Sequence, residues 1–180
     1  MARCFVGYLL PEKVKEELVD VQKLIEKWPL TCKMVERENI HLNFSFLGEI
    51  DEKQVENISE KIDAIGKMFE NFEVEVGGLC GIPSESYIRV LSLDIIDENR
   101  LLKTVIEEVN RQIGGDTKPA HVTLCRVREI RDKNYVREKI DEERSKRHGK
   151  FAIDSIQLIK SELSRSGPVY SVVHEAKLLS

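Results

Sequence analysis

Hydrophobic and polar positions near the start of the chain form first a strand-like run and then a helical repeat. Residues 3–10 are mostly apolar and predict a short strand, after which Pro11 and Glu12 favour the first turn of a helix. The helix presents one apolar face, because its hydrophobic residues recur every three or four positions: Val14, Leu18, Val21 and Ile25. The Trp28-Pro29 pair ends this helix, and residues 31–35 predict a second strand.

The rest of the chain continues as strands and helices. Residues 41–47 alternate with a period of two and predict a strand closed by Gly48. Its core face consists of Leu42, Phe44 and Phe46. Asp51 suits the N-cap of the next helix, and Gly77-Gly78 and Gly114-Gly115 mark turns. The other predicted elements are strands at residues 72–76, 87–93, 121–127, 151–159 and 170–176, and helices at 51–65, 98–113 and within 131–150.

This order of elements predicts the fold class. It is typical of an α+β protein in which helices cover mainly antiparallel sheets. A strand, a helix and a strand headed by histidine occur in the first half and recur in the second, at His41 and His121. A duplicated lobe would place these histidines on equivalent strands related by a pseudo-twofold axis. Because no long linker interrupts the pattern, we expect one two-lobed domain over residues 1–180.

Composition and net charge further narrow the class of protein. The 180 residues are 41% apolar and 33% charged, which suits a soluble globular protein. The net charge of −4 argues against broad, non-specific binding to nucleic acid, but it allows a local basic cleft that holds one or two phosphates. No apolar run approaches the roughly 20 residues of a membrane span. The apolar start is soon interrupted by Pro11 and Glu12, so a secretory signal is not expected and the predicted location is cytoplasmic.

The four cysteines do not form a recognisable motif. Cys4, Cys32, Cys80 and Cys125 are too far apart in sequence for a CxxC zinc or redox pair. Buried thiols in a reducing compartment are the default interpretation, although spacing alone leaves disulfides open.

The two histidine-headed strands carry the candidate chemistry. Strand alternation places His41 and Asn43 on one face, about 7 Å apart along the backbone, and does the same for His121 and Thr123. One neutral imidazole can act as a base while a protonated one acts as an acid. The amide and hydroxyl can donate hydrogen bonds to phosphate oxygens, where charge accumulates in a transition state. Two such strands facing each other would therefore suit phosphoryl chemistry.

Other candidate groups are interpreted as ordinary. We expect His148 in a solvated loop after a helix and His174 as a structural or exposed residue of the last strand. A metal site made by His174 with the two strand histidines lacks a supporting pattern of further ligands. The glycine pairs do not fit a phosphate-binding loop, and no GxSxG nucleophile motif occurs.

The segments HLNFSFLG (residues 41–48) and HVTLCR (residues 121–126) resemble the paired H-x-[TS]-x motifs of the two-histidine phosphoesterases. The closer resemblance is to the RNA 2',3'-cyclic phosphodiesterases, also called 2'-5' RNA ligases. It extends over nearly the whole chain, with further similar pieces at residues 3–11, 35–39, 160–161 and 167–170.

The resemblance implies two duplicated lobes with an active-site cleft between them. It implies hydrolysis of RNA 2',3'-cyclic phosphate ends to 2'-phosphomonoesters without metal or cofactor, by a chain we expect to be monomeric. His41 would be the proton donor to the departing 3'-oxygen, and His121 would be the proton acceptor that activates water. Asn43, Thr123 and Arg126 would hold the phosphate, Arg126 through a charge-assisted bond.

Two positions depart from the family pattern. Asn43 replaces the usual Thr or Ser, and Ser45, placed by alternation on the same face, is a possible substitute donor. Alternation also places Arg126 opposite His121, unless the strand bulges, ends early or lets the long side chain curl round its edge. Three alternatives stay open: 2'-5' RNA ligation at the same site, a non-catalytic module that binds nucleotides or RNA ends, and a ferredoxin-like interaction domain whose histidine faces point apart.

Overall fold

Nine strands and four helices make up the protein, as seen in a computed structural model that describes all 180 residues. The first half contains β1 (Ala2–Leu9), α1 (Glu12–Glu26), β2 (Leu30–Met34), β3 (His41–Ile50), α2 (Glu52–Gly66) and β4 (Phe72–Ser84), with a short 3-10 turn at Arg37–Asn39 before β3. The second half contains β5 (Tyr87–Ile96), α3 (Leu101–Gln112), β6 (His121–Ile130), α4 (Lys133–Glu143), β7 (Lys150–Ile153), β8 (Ser155–Ser164) and β9 (Gly167–Lys177).

The strands form two antiparallel sheets with matching orders. The first sheet has the order β3-β1-β8-β9, and the second has the order β2-β6-β5-β4-β7. Apart from the extra edge strand β2, the two orders correspond when β3 is matched to β6 and β1 to β5. The two histidine-headed strands therefore occupy equivalent places, as the repeat in the sequence predicts. The α+β class with two lobes of mainly antiparallel sheet is confirmed.

The helices that precede the histidine strands are exchanged between the sheets. Helix α1 follows β1 of the first sheet but packs against β6 of the second, whereas α3 follows β5 of the second sheet and packs against β3 of the first. Helix α2 packs on β8 and β9, and α4 packs on β4. All four helices contribute to one continuous hydrophobic core that includes residues of both sheets.

Local sequence signals set most element boundaries. Asp51 accepts a hydrogen bond from the backbone N–H of Gln54, whose side chain accepts one from the backbone N–H of Asp51, so a complete capping box begins α2. Gly114 and Gly115 both have positive φ after α3, which confirms their predicted role as a stop. The predicted apolar face of α1 is buried at all four positions.

Three predicted boundaries are wrong, each because of a tertiary contact. Gly48 has a φ of +74° but β3 continues through it to Ile50 as a register irregularity against β1. Gly77 and Gly78 lie inside β4, and a Cβ atom on Gly78 would lie 1.8 Å from the carbonyl oxygen of Arg144. The apolar run at residues 151–159 is two strands, because the chain passes from the second sheet to the first at Asp154.

Two further structural facts bear on location and redox state. No helix is both long and apolar enough to cross a membrane. All four cysteines are free, with Cys4 and Cys125 buried and the other two partly buried.

Candidate active site

The five residues predicted to form the site line one cleft where the two sheets meet. Strands β3 and β6 approach each other there, and the cleft between them has a volume of about 840 Å³. Its lining includes all five predicted residues: His41, Asn43, His121, Thr123 and Arg126. The alternative in which the two histidine faces point apart is therefore wrong.

Both imidazoles are held in the same way by their own backbone. The Nδ1 atom of His41 lies 2.7 Å from the carbonyl oxygen of Asn39, and that of His121 lies 2.8 Å from the carbonyl oxygen of Pro119. A carbonyl only accepts, so each Nδ1 must carry the hydrogen and donate it. The Nε2 atom of each ring, when neutral, then has a free lone pair that can accept a proton, and a ring protonated there can give that proton up again.

A bulge in β6 brings Arg126 to the face that carries His121. Thr123 is opposite Ser92 on β5, but Cys125 is opposite the adjacent Leu91, so Leu124 is an extra residue. Leu124 and Cys125 are consequently both buried, and Arg126 emerges exposed on the cleft side. The strand thus bulges, which was one of the three ways to reconcile Arg126 with the alternation.

The same device recurs in β3 and overturns two expectations. Asn43 is opposite Gly7 on β1 while Ser45 is opposite Val6, so Phe44 is the extra residue. Phe46, expected in the core, therefore lines the cleft. Ser45, expected on the site face as a substitute donor, is fully buried, and its hydroxyl donates to the carbonyl oxygen of Gly114 at 2.5 Å. Ser45 cannot contact a ligand in the cleft.

Two aromatic rings enclose His41. The ring of Phe5 lies 4.8 Å from the imidazole between centroids, and the ring of Tyr170 meets it edge-on at 5.2 Å. Burial is the largest of the causes that lower the pKa of His41 from 6.5 to about 4, and the Coulombic effects of His121, Arg126 and Lys15 act in the same direction. The hydrogen bond to Asn39 opposes the shift without cancelling it. His41 is therefore neutral at pH 7 in the protein without a bound anion.

The cations of the cleft differ in whether they are already paired. Lys118 lies 3.5 Å from Asp116, and Lys160 lies 2.7 Å from Glu162. Arg126 lines the same cleft and has no carboxylate within the 4.0 Å of an ion pair, and the same is true of two other cleft cations, Arg3 and Lys33. The guanidinium of Arg126 is therefore available to an anion, which fits the predicted local phosphate site in a chain of negative net charge.

The other two histidines lie elsewhere. His174 on β9 pairs with Asp63 of α2, with 2.7 Å between Nε2 and Oδ1. His148 is partly buried between α4 and β7 and its backbone N–H donates to Val76, so it is not in a fully solvated loop. No group of three or more histidine, cysteine or acidic side chains is arranged to hold a metal ion.

Three residues around the site have no role in the sequence analysis. Asn39 is 1% exposed, and besides accepting from His41 it donates through Nδ2 to the carbonyl oxygen of Pro168 at the start of β9. Tyr170 covers His41, and Gln22 of α1 contacts the bulge of β6. The sequence contains a signal for Gln22, because it is a polar residue within the apolar face of a predicted helix. For Asn39 and Tyr170 the only signal in the sequence is that they lie within segments that resemble the family.

The fold and the paired imidazoles define a two-lobed phosphoesterase. A sequence profile described as LigT like Phosphoesterase matches residues 9–92. A relative from Aeropyrum pernix is 30% identical over 82% of this chain and 87% of its own length, and one from Methanocaldococcus jannaschii is 28% identical over 96% and 99%. Both carry the name RNA 2',3'-cyclic phosphodiesterase. The chain belongs to the LigT-like phosphoesterase family.

Solved structures agree with this fold. A crystal structure of a Thermus thermophilus protein superposes with a TM-score of 0.76 over 98% of this chain and 97% of its own, at 23% identity. E. coli LigT complexed with phosphate gives a TM-score of 0.75 over 99% of this chain and 98% of its own, at 19% identity. The likeness extends over both lobes.

Proposed function

We propose that this protein hydrolyses the 2',3'-cyclic phosphate at RNA ends to a 2'-phosphomonoester with a free 3'-hydroxyl. The observation that carries the proposal is the shared cleft, whose lining includes two imidazoles with free Nε2 atoms and an unpaired arginine. The name shared by its relatives supports this substrate.

Each group then has one role in the reaction. Nε2 of His121 accepts a proton from water, the water oxygen attacks phosphorus, and the bond between phosphorus and the 3'-oxygen breaks. Nε2 of His41 gives its proton to the departing 3'-oxygen, so one proton enters the protein and one leaves it. Arg126 and Thr123 donate to non-bridging oxygens, and the amide of Asn43 does so from the opposite wall.

The low pKa of His41 links its proton to the phosphate. Since burial and nearby positive charge lower this pKa to about 4, His41 is neutral before an anion binds. A phosphate beside Arg126 adds negative charge close to His41 and favours its protonated form, so the acid is charged only when substrate is present. NMR titration of the His41 ring with and without inorganic phosphate measures this. A pKa that does not rise with phosphate would favour exchanging the roles of the two histidines.

The reaction is tested with a short RNA that ends in a 2',3'-cyclic phosphate. We expect conversion to the 2'-phosphate without added metal, with the product identified by its resistance to a 3'-specific phosphatase. A parallel sample containing an RNA with a 5'-hydroxyl tests the reverse direction, in which the two ends join through a 2'-5' linkage. Tight nucleotide binding with no product in either sample would favour the non-catalytic module instead.

We propose that the protein acts as a monomer in the cytoplasm. All residues of the site come from one chain, and four free cysteines suit a reducing compartment. Sedimentation at micromolar concentration is expected to give the mass of a single 20.7 kDa chain.

A further inference from the structure

We propose that Gln22, on helix α1, is a positioning residue that fixes the bulge of β6 and thereby directs Arg126 into the cleft. Gln22 is not itself in the cleft lining, and it is 6% exposed. The inference rests on the proposed role of Arg126 in holding phosphate, but the structural part can be measured separately.

The amide of Gln22 joins three elements. Its Nε2 atom donates to the carbonyl oxygen of Leu124 at 3.0 Å and to that of Val35 at 2.9 Å. Leu124 is the extra residue of the bulge, and Val35 follows the end of β2. The backbone N–H of Val35 also donates to Leu124, at 2.9 Å. One side chain thus ties α1 to the bulge and to the segment that flanks it.

The burial of this amide argues that it has a specific purpose. Its nearest buried neighbours on α1 are the aliphatic residues Leu18, Val21 and Ile25, and a leucine or methionine at position 22 would pack without the desolvation that an amide suffers. A buried amide is retained at low cost only where its hydrogen bonds are made, and the amide of Gln22 makes one to Leu124 of the bulge and one to Val35 beside it.

The position of the bulge decides where Arg126 points. In a regular strand residue 126 shares a face with Val122 and Leu124, which are both fully buried. The extra residue reverses the alternation, so Arg126 joins His121 and Thr123. Any slip of the bulge by one residue would turn the guanidinium away from the cleft, and the two bonds from Gln22 oppose that slip.

The test is a double-mutant cycle with inorganic phosphate as the probe. We expect Gln22→Met to weaken phosphate binding by about tenfold, because Arg126 loses its fixed direction. In the Arg126→Ala background the same change should alter phosphate affinity less than about twofold. Gln22→Asn, whose shorter amide reaches less far, serves as the milder variant if the methionine variant fails to fold.

A matched control is available in the other sheet. Gln157 on β8 is also buried and also uses its amide, accepting from Leu9 and donating to Glu175. Gln157→Met should lose comparable stability in urea unfolding, yet its effect on phosphate affinity should simply add to that of Arg126→Ala. An equal coupling with Gln157 would mean that Gln22 acts through general stability, and would overturn the inference.

Backbone NMR separates this inference from the proposed function. Gln22→Met should shift the amide signals of residues 124–126 and speed hydrogen exchange at Val35. If those signals stay in place and no coupling appears, the inference fails while phosphate binding by Arg126 can still stand. If Arg126→Ala leaves phosphate affinity unchanged, the proposed role of Arg126 fails, and the signals of residues 124–126 alone decide whether Gln22 fixes the bulge.

Discussion

Strands β3 and β6 are built alike and furnish the cleft with different chemistry. Each begins with a histidine whose Nδ1 is held by the carbonyl two residues earlier, and each inserts an extra residue after its third position. Beyond the bulge, β6 delivers Arg126 to the cleft and β3 delivers Phe46. The bulge is therefore independent of the side chains it presents, and the strands differ at two cleft-facing positions, with Asn43 and Phe46 on β3 corresponding to Thr123 and Arg126 on β6.

This difference gives separate roles to the two walls of the cleft, one formed by β6 and the other by β3. The β6 wall offers a charged donor and a hydroxyl, both suited to a phosphate. Apart from the amide of Asn43, the β3 wall is mainly aromatic, since Phe46 lies under the guanidinium of Arg3 at 5.2 Å and Phe5 and Tyr170 enclose His41. A polar wall can bind the anion while the shielded wall controls when its histidine is charged.

The largest expected effect comes from removing either imidazole. His41→Ala and His121→Ala should each lower turnover of a cyclic-phosphate RNA by about 10²- to 10⁴-fold, because each takes one proton-transfer group from the reaction. Initial rates measure this, with far-UV circular dichroism to confirm the fold. His174→Ala, which lies outside the cleft, is the matched control and should keep wild-type turnover. Full activity in either cleft variant would contradict the proposed mechanism.

The next test compares the two residues that follow the bulges. Arg126→Ala should weaken binding of inorganic phosphate by roughly 10- to 100-fold, since it removes a charge-assisted hydrogen bond. Phe46→Leu should change that affinity less than about twofold, because neither side chain can donate to phosphate. Calorimetric titration gives both values. Equal losses in the two variants would mean that the walls do not differ in the way described.

The shielded histidine also predicts how stability depends on pH. At pH 7 His41 is neutral in the folded and unfolded chains, so it contributes nothing. Between pH 6.5 and 4 the unfolded chain takes up a proton that the folded chain does not, and the free energy of unfolding falls by roughly 3 kcal/mol as pH drops through this range. Urea unfolding of His41→Gln at pH 7 and pH 4 should lack this part of the loss. A wild-type loss retained in full by the variant would show that His41 is not the group responsible.

The smallest expected effect concerns the residue between histidine and bulge. Asn43→Thr would give β3 the same histidine and threonine pair as β6, with a shorter donor arm. We expect a two- to fivefold rise in turnover, about the worth of one better-aligned neutral hydrogen bond. Steady-state kinetics measure it, and Thr123→Asn is the reciprocal variant, expected to lower turnover by a similar factor. A fall in the rate of Asn43→Thr would indicate that the longer amide is adapted to the substrate.

Strand alternation alone predicted the site up to the bulges and failed beyond them, where Arg126 was assigned to the site by the family resemblance. The first three residues of each histidine strand follow the simple alternation, so the faces of His41, Asn43, His121 and Thr123 are as expected. The alternation of β3 continues unbroken in the sequence through Ser45, and only the carbonyl of Gly114 from a distant turn makes its burial possible. In β6 the adjacent apolar pair Leu124 and Cys125 is a weak local signal of the bulge. Gln22 donates to Leu124 of this bulge, and it reaches the bulge only because α1 packs against the second sheet, which is a tertiary contact.

The exchange of α1 and α3 between the sheets has a consequence for how the cleft can move. Each sheet is covered by a helix that the other repeat supplies, so neither repeat by itself contains a complete lobe. Two separate lobes joined by a flexible hinge could open by moving apart. In this protein α1 and α3 each cross to the other sheet, so these helices and their connections hold the two lobes together. We therefore expect the shared hydrophobic core to set the width of the cleft, and a chain cut in the exposed turn at residues 98–100 to give two fragments that fold only when both are present.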